Sequence, residues 1–226
     1  MLKAVIFDFD GVITDSEILH LRAFNKVLAQ FGIEMSTRSY YTTYLGLTDV
    51  DCFKMLIRQG LLKVEEDRVE ELVRAKFAVF EKLAATEGRL IDGVRDCIEM
   101  LDAKGIPMAI CSGSLLAEIE MVLEEAGLRR FFEVVVSAEQ IRASKPNPEG
   151  MLLALERLNE NRSEAISADQ CVVIEDSSWG LEAARAAGMH TVAVTNSYEA
   201  EQLSSADKIV SNLRELTISE LQRLCG

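Results

Sequence analysis

Ala4-Val5-Ile6-Phe7-Asp8-Phe9-Asp10-Gly11-Val12-Ile13-Thr14-Asp15 is the stretch from which the rest of the chain is read. A short apolar run ending in two aspartates and a glycine is a β-strand that delivers carboxylates to its C-terminal end. Alternate residues of a strand face the same side, so Asp8 and Asp10 project together while Phe7 and Phe9 turn away. Two carboxylates on one face repel, and are tolerated best when a cation lies between them or one is protonated. Asp-Gly is also a common turn dipeptide, but a plain turn does not call for two acids on one face.

Working outward, residues 16–31 fit a helix with Phe24, Val27, Leu28 and Phe31 on one face, closed by Gly32. A second helix is expected from Thr48, where Thr48-x-x-Asp51 resembles a capping box, to about Gly60. A third is expected over 65–85, with Val69, Leu72, Val73, Phe77, Phe80 and Leu83 at helical spacing. No strand pattern interrupts this stretch. From Gly93 onward helices alternate with short apolar strands: helix 93–104, strand 106–111, helix 115–126, strand 133–136, helix 148–158, strand 171–175, helix 179–187 and strand 191–194. A short strand at 208–210 and a closing helix from Asn212 complete the pattern.

Short, continuously apolar strands separated by helices indicate an α/β fold, a Rossmann-like parallel sheet covered by helices on both faces. The all-helical stretch after the first strand then reads as an inserted cap domain over 16–88, with 1–15 and 89–226 forming the core. Its expected place is over the C-terminal edge of the sheet, where open α/β sheets bind ligands. No GxxxxGK[ST] or GxGxxG loop is present, which disfavours a P-loop or a dinucleotide site.

If strand ends converge, the residues just after each strand form a reaction centre. Asp8 and Asp10 come after the first. Ser112-Gly113-Ser114 come after strand 106–111, where a hydroxyl and backbone N–H groups suit a phosphate oxygen, although a simple serine cap reads equally well. Lys145-Pro146-Asn147-Pro148 stiffens the backbone around a lysine, or merely starts the next helix. Glu175-Asp176 end a buried strand, where adjacent carboxylates are costly unless paired or holding a metal. Capping of the next helix by Asp176 is the competing explanation.

In this order, Asp8-x-Asp10-Gly11, Ser112, Lys145-Pro146 and Glu175-Asp176 resemble the four motifs of the haloacid dehalogenase superfamily, along the whole chain. The segment Ser177-Ser-Trp-Gly180-Leu-Glu-Ala-Ala-Arg-Ala-Ala-Gly188 is similar to the family's stretch after the fourth motif. The helical insertion resembles the small cap of the subgroup containing β-phosphoglucomutase and many sugar-phosphate phosphatases. That resemblance implies phosphoryl transfer with Asp8 as nucleophile and Asp10 as general acid and base. It implies Mg2+ held by Asp8, the Asp10 carbonyl and Asp176, with help from Glu175. Ser112, the Gly113 N–H and Lys145 are then expected on the phosphoryl oxygens, with Gly11, Ser114 and Asn147 beside them. The dehalogenases lack an acid at the position of Asp10, so its presence points to phosphate esters.

The cap is expected to choose between a phosphatase and a mutase. Its candidate substrate contacts are His20, Gly46, Thr48 and Lys76. His20 is equally a packed structural histidine, and Lys76 is explained more simply as part of a solvated helix face. The mutases carry a phosphate-binding arginine where this chain has Asp49, and an acid there repels a second phosphate. The expectation is therefore a phosphatase of a small phosphomonoester, with a mutase or a catalytically silent phosphometabolite sensor as alternatives.

Composition is compatible with this. The 226 residues are 49% hydrophobic and 27% charged, ordinary for a globular chain. No stretch approaches the roughly 18–20 apolar residues of a membrane span. Five cysteines with no CxxC pair argue against a disulfide framework or zinc knuckle. Cys111 and Cys171 read as small buried hydrophobes. The net charge of −13 disfavours nucleic acid and anionic membranes. Residues 15–88 hold 12 acidic and 10 basic side chains, so most of the negative charge lies in the core. With no signal-peptide pattern at the N-terminus, a cytoplasmic monomer or weak homodimer acting on a small phosphorylated metabolite is expected.

Overall fold

The computed structural model describes residues 1–45 and 47–226; Gly46, one of the expected substrate contacts, lies outside the described residues. In chain order, β1 (Ala4–Phe7) leads to α1 (Glu17–Leu28), α2 (Thr37–Ser39), α3 (Asp49–Arg58) and α4 (Val69–Glu87). Then come α5 (Val94–Asp102), β2 (Met108–Cys111), α6 (Leu116–Glu125), β3 (Val134–Val136) and α7 (Glu149–Asn159). The chain finishes with β4 (Cys171–Glu175), α8 (Ser178–Ala186), β5 (His190–Val194), β6 (Lys208–Val210) and α9 (Ile218–Leu224). Two compact units result: Met1–Thr14 with Leu90–Gly226, and Asp15–Arg89.

The first unit holds six parallel strands among the described residues, in the order β3-β2-β1-β4-β5-β6. Every side chain of β1 is wholly buried, which is why its sequence is continuously apolar rather than alternating. Alternation decides instead which helix layer each side chain meets. Val5 and Phe7 join Val94 and Ile98 of α5, Ile119 and Leu123 of α6, and Leu221 of α9. Ala4 and Ile6 point the other way, to Met151 and Ala154 of α7 and Ala183 and Ala184 of α8. Burying each large apolar side chain is worth about 1.5–3 kcal/mol, so a one-residue slip of β1, which swaps its faces, is strongly disfavoured.

From β1 the chain builds outward on one side through β2 and β3, then crosses to β4 on the other side. The topological switch therefore lies at β1, and the carboxyl ends of β1, β2 and β4 open there. Phe7 is paired with Ile110 and with Ile174, so Asp8, Cys111 and Glu175 all come one step further along.

The second unit is helical. Thr48 opens α3 as expected, its hydroxyl accepting the Asp51 N–H at 3.1 Å. Gly32 adopts φ +70 in closing the turn after α1. A helical turn over Thr37–Tyr44 was not expected from the sequence. It is capped by Ser36 and held by Tyr40, whose hydroxyl donates to Glu17 at 2.7 Å. The closing helix also needs correcting: Asn212 caps only a 3-10 turn (Leu213–Glu215), and Thr217 caps α9. Among the described residues no helix is long and apolar enough to cross a membrane.

Candidate active site

Asp8 comes directly after the last residue of β1 and is almost wholly buried. Beyond it the chain turns tightly, with the Ile13 N–H donating to the Phe9 carbonyl at 2.8 Å and the Gly11 N–H to the Thr14 carbonyl at 2.8 Å. Gly11 has φ +75, and a Cβ there would lie 1.8 Å from Asp176 Oδ2. Glycine is thus required at 11 on two grounds: the left-handed backbone, and the room that Asp176 occupies.

Lys145, which precedes a cis peptide bond to Pro146, reaches the end of the sheet. Its Nζ donates to Asp8 Oδ1 at 2.7 Å and to Glu175 Oε1 at 2.5 Å. The other Glu175 oxygen accepts from the Asp176 and Ser177 N–H groups, both at 2.9 Å, and from the Ser177 hydroxyl at 2.8 Å. Burial disfavours the ionised Glu175, but Lys145 and the Ser177 donors outweigh it and hold the carboxyl below its usual range. For Lys145, burial opposes the ammonium, and Asp8 with Glu175 outweigh it, so the pKa is raised and the charge kept. Asp8 differs: burial, reinforced by Glu175, pushes its carboxyl up despite Lys145. An ionised Asp8 carboxylate is thus poorly solvated.

After β2, Ser112 accepts the Ser114 N–H on its own Oγ at 2.9 Å and is almost fully buried. It is not a helix cap, because α6 starts only at Leu116. The first N–H groups of α6 are already taken, Leu115 by Glu118 at 3.1 Å and Leu116 by Glu139 at 2.8 Å. A phosphate at this strand end would therefore meet the Ser112-Gly113 loop rather than the helix terminus. Ser114 donates to Asp10 Oδ2 at 2.5 Å, which fixes that carboxylate across from β2. Asn147 has a structural task as well, its Oδ1 accepting the Glu149 N–H at 2.9 Å at the start of α7. Asp176 does not cap α8; Ser177 does, accepting the Gly180 N–H at 3.1 Å.

Asp8, Glu175 and Asp176 each offer a carboxylate oxygen, all within 4.8 Å of one another, and all three residues are buried. Lys145 Nζ bonds two of these carboxylates, Asp8 and Glu175, and the Ser197 hydroxyl donates to the third. Three buried carboxylates within this span, hard oxygen donors only, fit a divalent ion such as Mg2+.

Two groups not expected from the sequence belong here. Ser197, after β5, donates its hydroxyl to Asp176 Oδ2, and Asn196 Nδ2 donates to the Gly11 carbonyl at 2.7 Å. A signal for them exists, since Thr195-Asn196-Ser197 is another polar run after a buried strand.

The remaining candidates lie in the helical unit. Lys76 is not on a solvated face: it is wholly buried. Its Nζ lies 2.6 Å from His20 Nδ1 and 2.9 Å from Asp49 Oδ2. It also sits 4.9 Å over the Phe80 ring and 5.4 Å over the Phe24 ring. His20 stacks on Phe80 with centroids 4.2 Å apart. Asp49, read from sequence as an acid that repels a second phosphate, is ion-paired with Lys76. Thr48 donates its hydroxyl to Asp51 Oδ2 at 2.8 Å.

A model of the haloacid dehalogenase-like hydrolases matches residues 5–194. The fructose-1-phosphate phosphatase YqaB of Escherichia coli (strain K12) is 31% identical over 195 residues, 84% of this chain and 95% of that protein. Hexitol phosphatase B of the same organism is 32% identical over 223 residues, 97% of this chain and 96% of that one. The crystal structure of CbbY from Rhodobacter sphaeroides in complex with phosphate matches with a TM-score of 0.87 at 26% identity, covering 98% of this chain and 100% of that chain.

Proposed function

The chain belongs to the haloacid dehalogenase-like hydrolases, and from that premise we propose that it is a Mg2+-dependent phosphatase of a small phosphomonoester, a sugar phosphate, acting through an aspartyl phosphate on Asp8. The observation that carries this reading is the pairing at two strand ends: Asp8 held by Lys145 at 2.7 Å, and Asp10 held by Ser114 at 2.5 Å. These contacts support the reading of Asp8 as nucleophile and Asp10 as proton carrier.

In the first step an Asp8 oxygen attacks phosphorus, the ester P–O bond breaks, and Asp10 gives its proton to the departing alkoxide. In the second, Asp10 takes a proton from water, the water oxygen attacks phosphorus, and the Asp8–phosphorus bond breaks to free phosphate. Lys145, Ser112 and the Gly113 N–H hold the phosphoryl oxygens throughout, supplying position and charge stabilisation. Asp8, the Asp10 carbonyl and Asp176 would hold Mg2+, with Glu175 acting directly or through water. Bound there, the ion neutralises charge on the phosphoryl oxygens. The helical unit is read as the cap that selects substrate.

The test is phosphate release from hexose 6-phosphates, hexose 1-phosphates, hexitol phosphates, phosphoglycolate and nucleoside monophosphates, with and without Mg2+. Mg2+-dependent release from a sugar or polyol phosphate is expected. Release from none of them, together with isomerisation of β-glucose 1-phosphate, would replace the phosphatase with a mutase.

A further inference from the structure

The loop after β5 reaches two other strand ends at once. Ser197 donates its hydroxyl to Asp176 Oδ2, across 21 positions of sequence. Asn196 Nδ2 donates to the Gly11 carbonyl at 2.7 Å, across 185 positions. Serine and asparagine side chains in turns ordinarily bond backbone groups only a few positions away. Here neighbouring residues instead tie Asp176, after β4, to the turn after β1 that carries Asp10 and Gly11. A Cβ on Gly11 would lie 1.8 Å from Asp176 Oδ2 and 2.9 Å from Ser197 Oγ. That carboxylate oxygen and its donor are therefore packed together against bare glycine backbone.

The other two carboxylates of the cluster are pinned as well. Lys145 Nζ donates to Asp8 Oδ1 at 2.7 Å and to Glu175 Oε1 at 2.5 Å, and the Ser177 hydroxyl donates to Glu175 Oε2 at 2.8 Å. A carboxylate that chelates an ion through both oxygens competes with such donors for lone pairs. Carboxylates held this way suit an ion that takes single-oxygen contacts. Mg2+ is such an ion, bound by one or two carboxylates in a tight octahedral shell that keeps several waters. Ca2+ instead gathers about six to eight oxygens in a looser shell, often with bidentate carboxylates.

We propose, resting on the Mg2+ reading above, that Ser197 is a positioning residue for the metal: its hydroxyl turns Asp176 Oδ2 toward the β5 loop, so that Asp176 ligates through a single oxygen and the site favours Mg2+ over Ca2+. Asn196 anchors the loop from which Ser197 acts. Outer partners of this kind orient a metal ligand, and losing one typically costs about 10–100-fold in metal affinity.

The test is titration calorimetry of the metal-free full chain with MgCl2 and with CaCl2, in the absence of substrate. The unaltered protein is expected to bind Mg2+ at least as tightly as Ca2+. Ser197→Ala is expected to weaken Mg2+ binding by about tenfold and Ca2+ binding by less, and Ser197→Thr, which keeps the hydroxyl, to restore the Mg2+ affinity. A serine that only settles the loop would leave both dissociation constants in place. Unchanged Mg2+ affinity in a folded Ser197→Ala protein therefore overturns the proposal. A preference of the unaltered protein for Ca2+ by about tenfold or more overturns it as well, whether or not the variant folds. Either result leaves the phosphatase reading intact. Failure of the unaltered protein to bind Mg2+ overturns the Mg2+ reading itself, and the proposal with it.

Discussion

A Cβ on Gly180 would lie 1.6 Å from Glu175 Oε1 and 1.9 Å from its Cδ. The missing side chain at 180 is therefore what lets Glu175 fold back over the start of α8 and hold Lys145. Gly180→Ala is expected to displace Glu175 and, through it, Lys145. Misplacement of a catalytic group by about 1 Å costs on the order of 100-fold in rate, so a kcat loss of that size is expected. The stability readout separates this from a propensity effect: glycine to alanine in an unobstructed helix stabilises by about 0.5–1 kcal/mol. A raised Tm with unchanged kcat would show that position 180 has spare room.

Ser114 donates to Asp10 Oδ2. Ser114→Ala leaves the carboxylate without that tether, and a hydrogen bond to a charged group is worth about 1.5–3 kcal/mol. A fall in kcat of about tenfold or more is expected, with KM nearly unchanged and partial recovery in Ser114→Thr. A rise in KM alone, with kcat kept, would assign Ser114 to substrate binding.

Three buried carboxylates gather at the sheet end, two of them, Asp8 and Glu175, bonded to Lys145. Mg2+ is expected to raise the Tm of the protein, corresponding to about 2.7 kcal/mol at a hundred times its Kd, and EDTA to reverse the rise. Asp176→Asn is expected to lose most of this shift. Thermal scans and titration calorimetry read this without any substrate, and identical Tm values with and without millimolar Mg2+ would contradict the metal site.

Burial pushes the thiols of Cys97, Cys111 and Cys171 up to about 12. A raised thiol pKa leaves the unreactive neutral form dominant at every pH below it. Alkylation of the native protein at pH 8 is therefore expected to mark Cys225, which is only half-buried, well before these three. Raising the pH to about 10 should speed labelling of Cys225 while the buried thiols stay slow. Peptide mapping by mass spectrometry reads this; rapid labelling of Cys111 in the native state would contradict its burial beside the site.

Most of the sheet is legible in the sequence because parallel strands are buried on both faces. Cys171–Glu175 and Lys208–Val210 have the expected bounds, and Val134–Val136 is a residue shorter. Asp8, Glu175 and Asp176 stand out because a charged side chain at the end of a water-excluding run needs a partner, and Lys145 because Pro146 and Pro148 stiffen the backbone around it. The hidden part depends on partners distant in sequence. Lys76 stands at helical spacing from Leu72, Val73 and Phe80 on the buried face of α4, but a lysine reads as solvated until His20 on α1 and Asp49 on α3 are placed beside it. The Thr37–Tyr44 turn is rich in Ser, Thr and Tyr, and its Tyr40–Glu17 bond spans 23 positions. Ser197 comes three residues after β5, where a serine reads as an ordinary turn residue until Asp176 is placed beside it.

The most direct measurement is phosphate release by Asp8→Asn beside the unaltered protein, on the phosphomonoester that the latter hydrolyses best in Mg2+. The substitution preserves the shape of Asp8 and removes its nucleophilic oxygen. Turnover is expected to vanish while circular dichroism and the thermal transition show the fold retained. Near-normal turnover by a folded, uncontaminated Asp8→Asn protein would contradict covalent catalysis through Asp8.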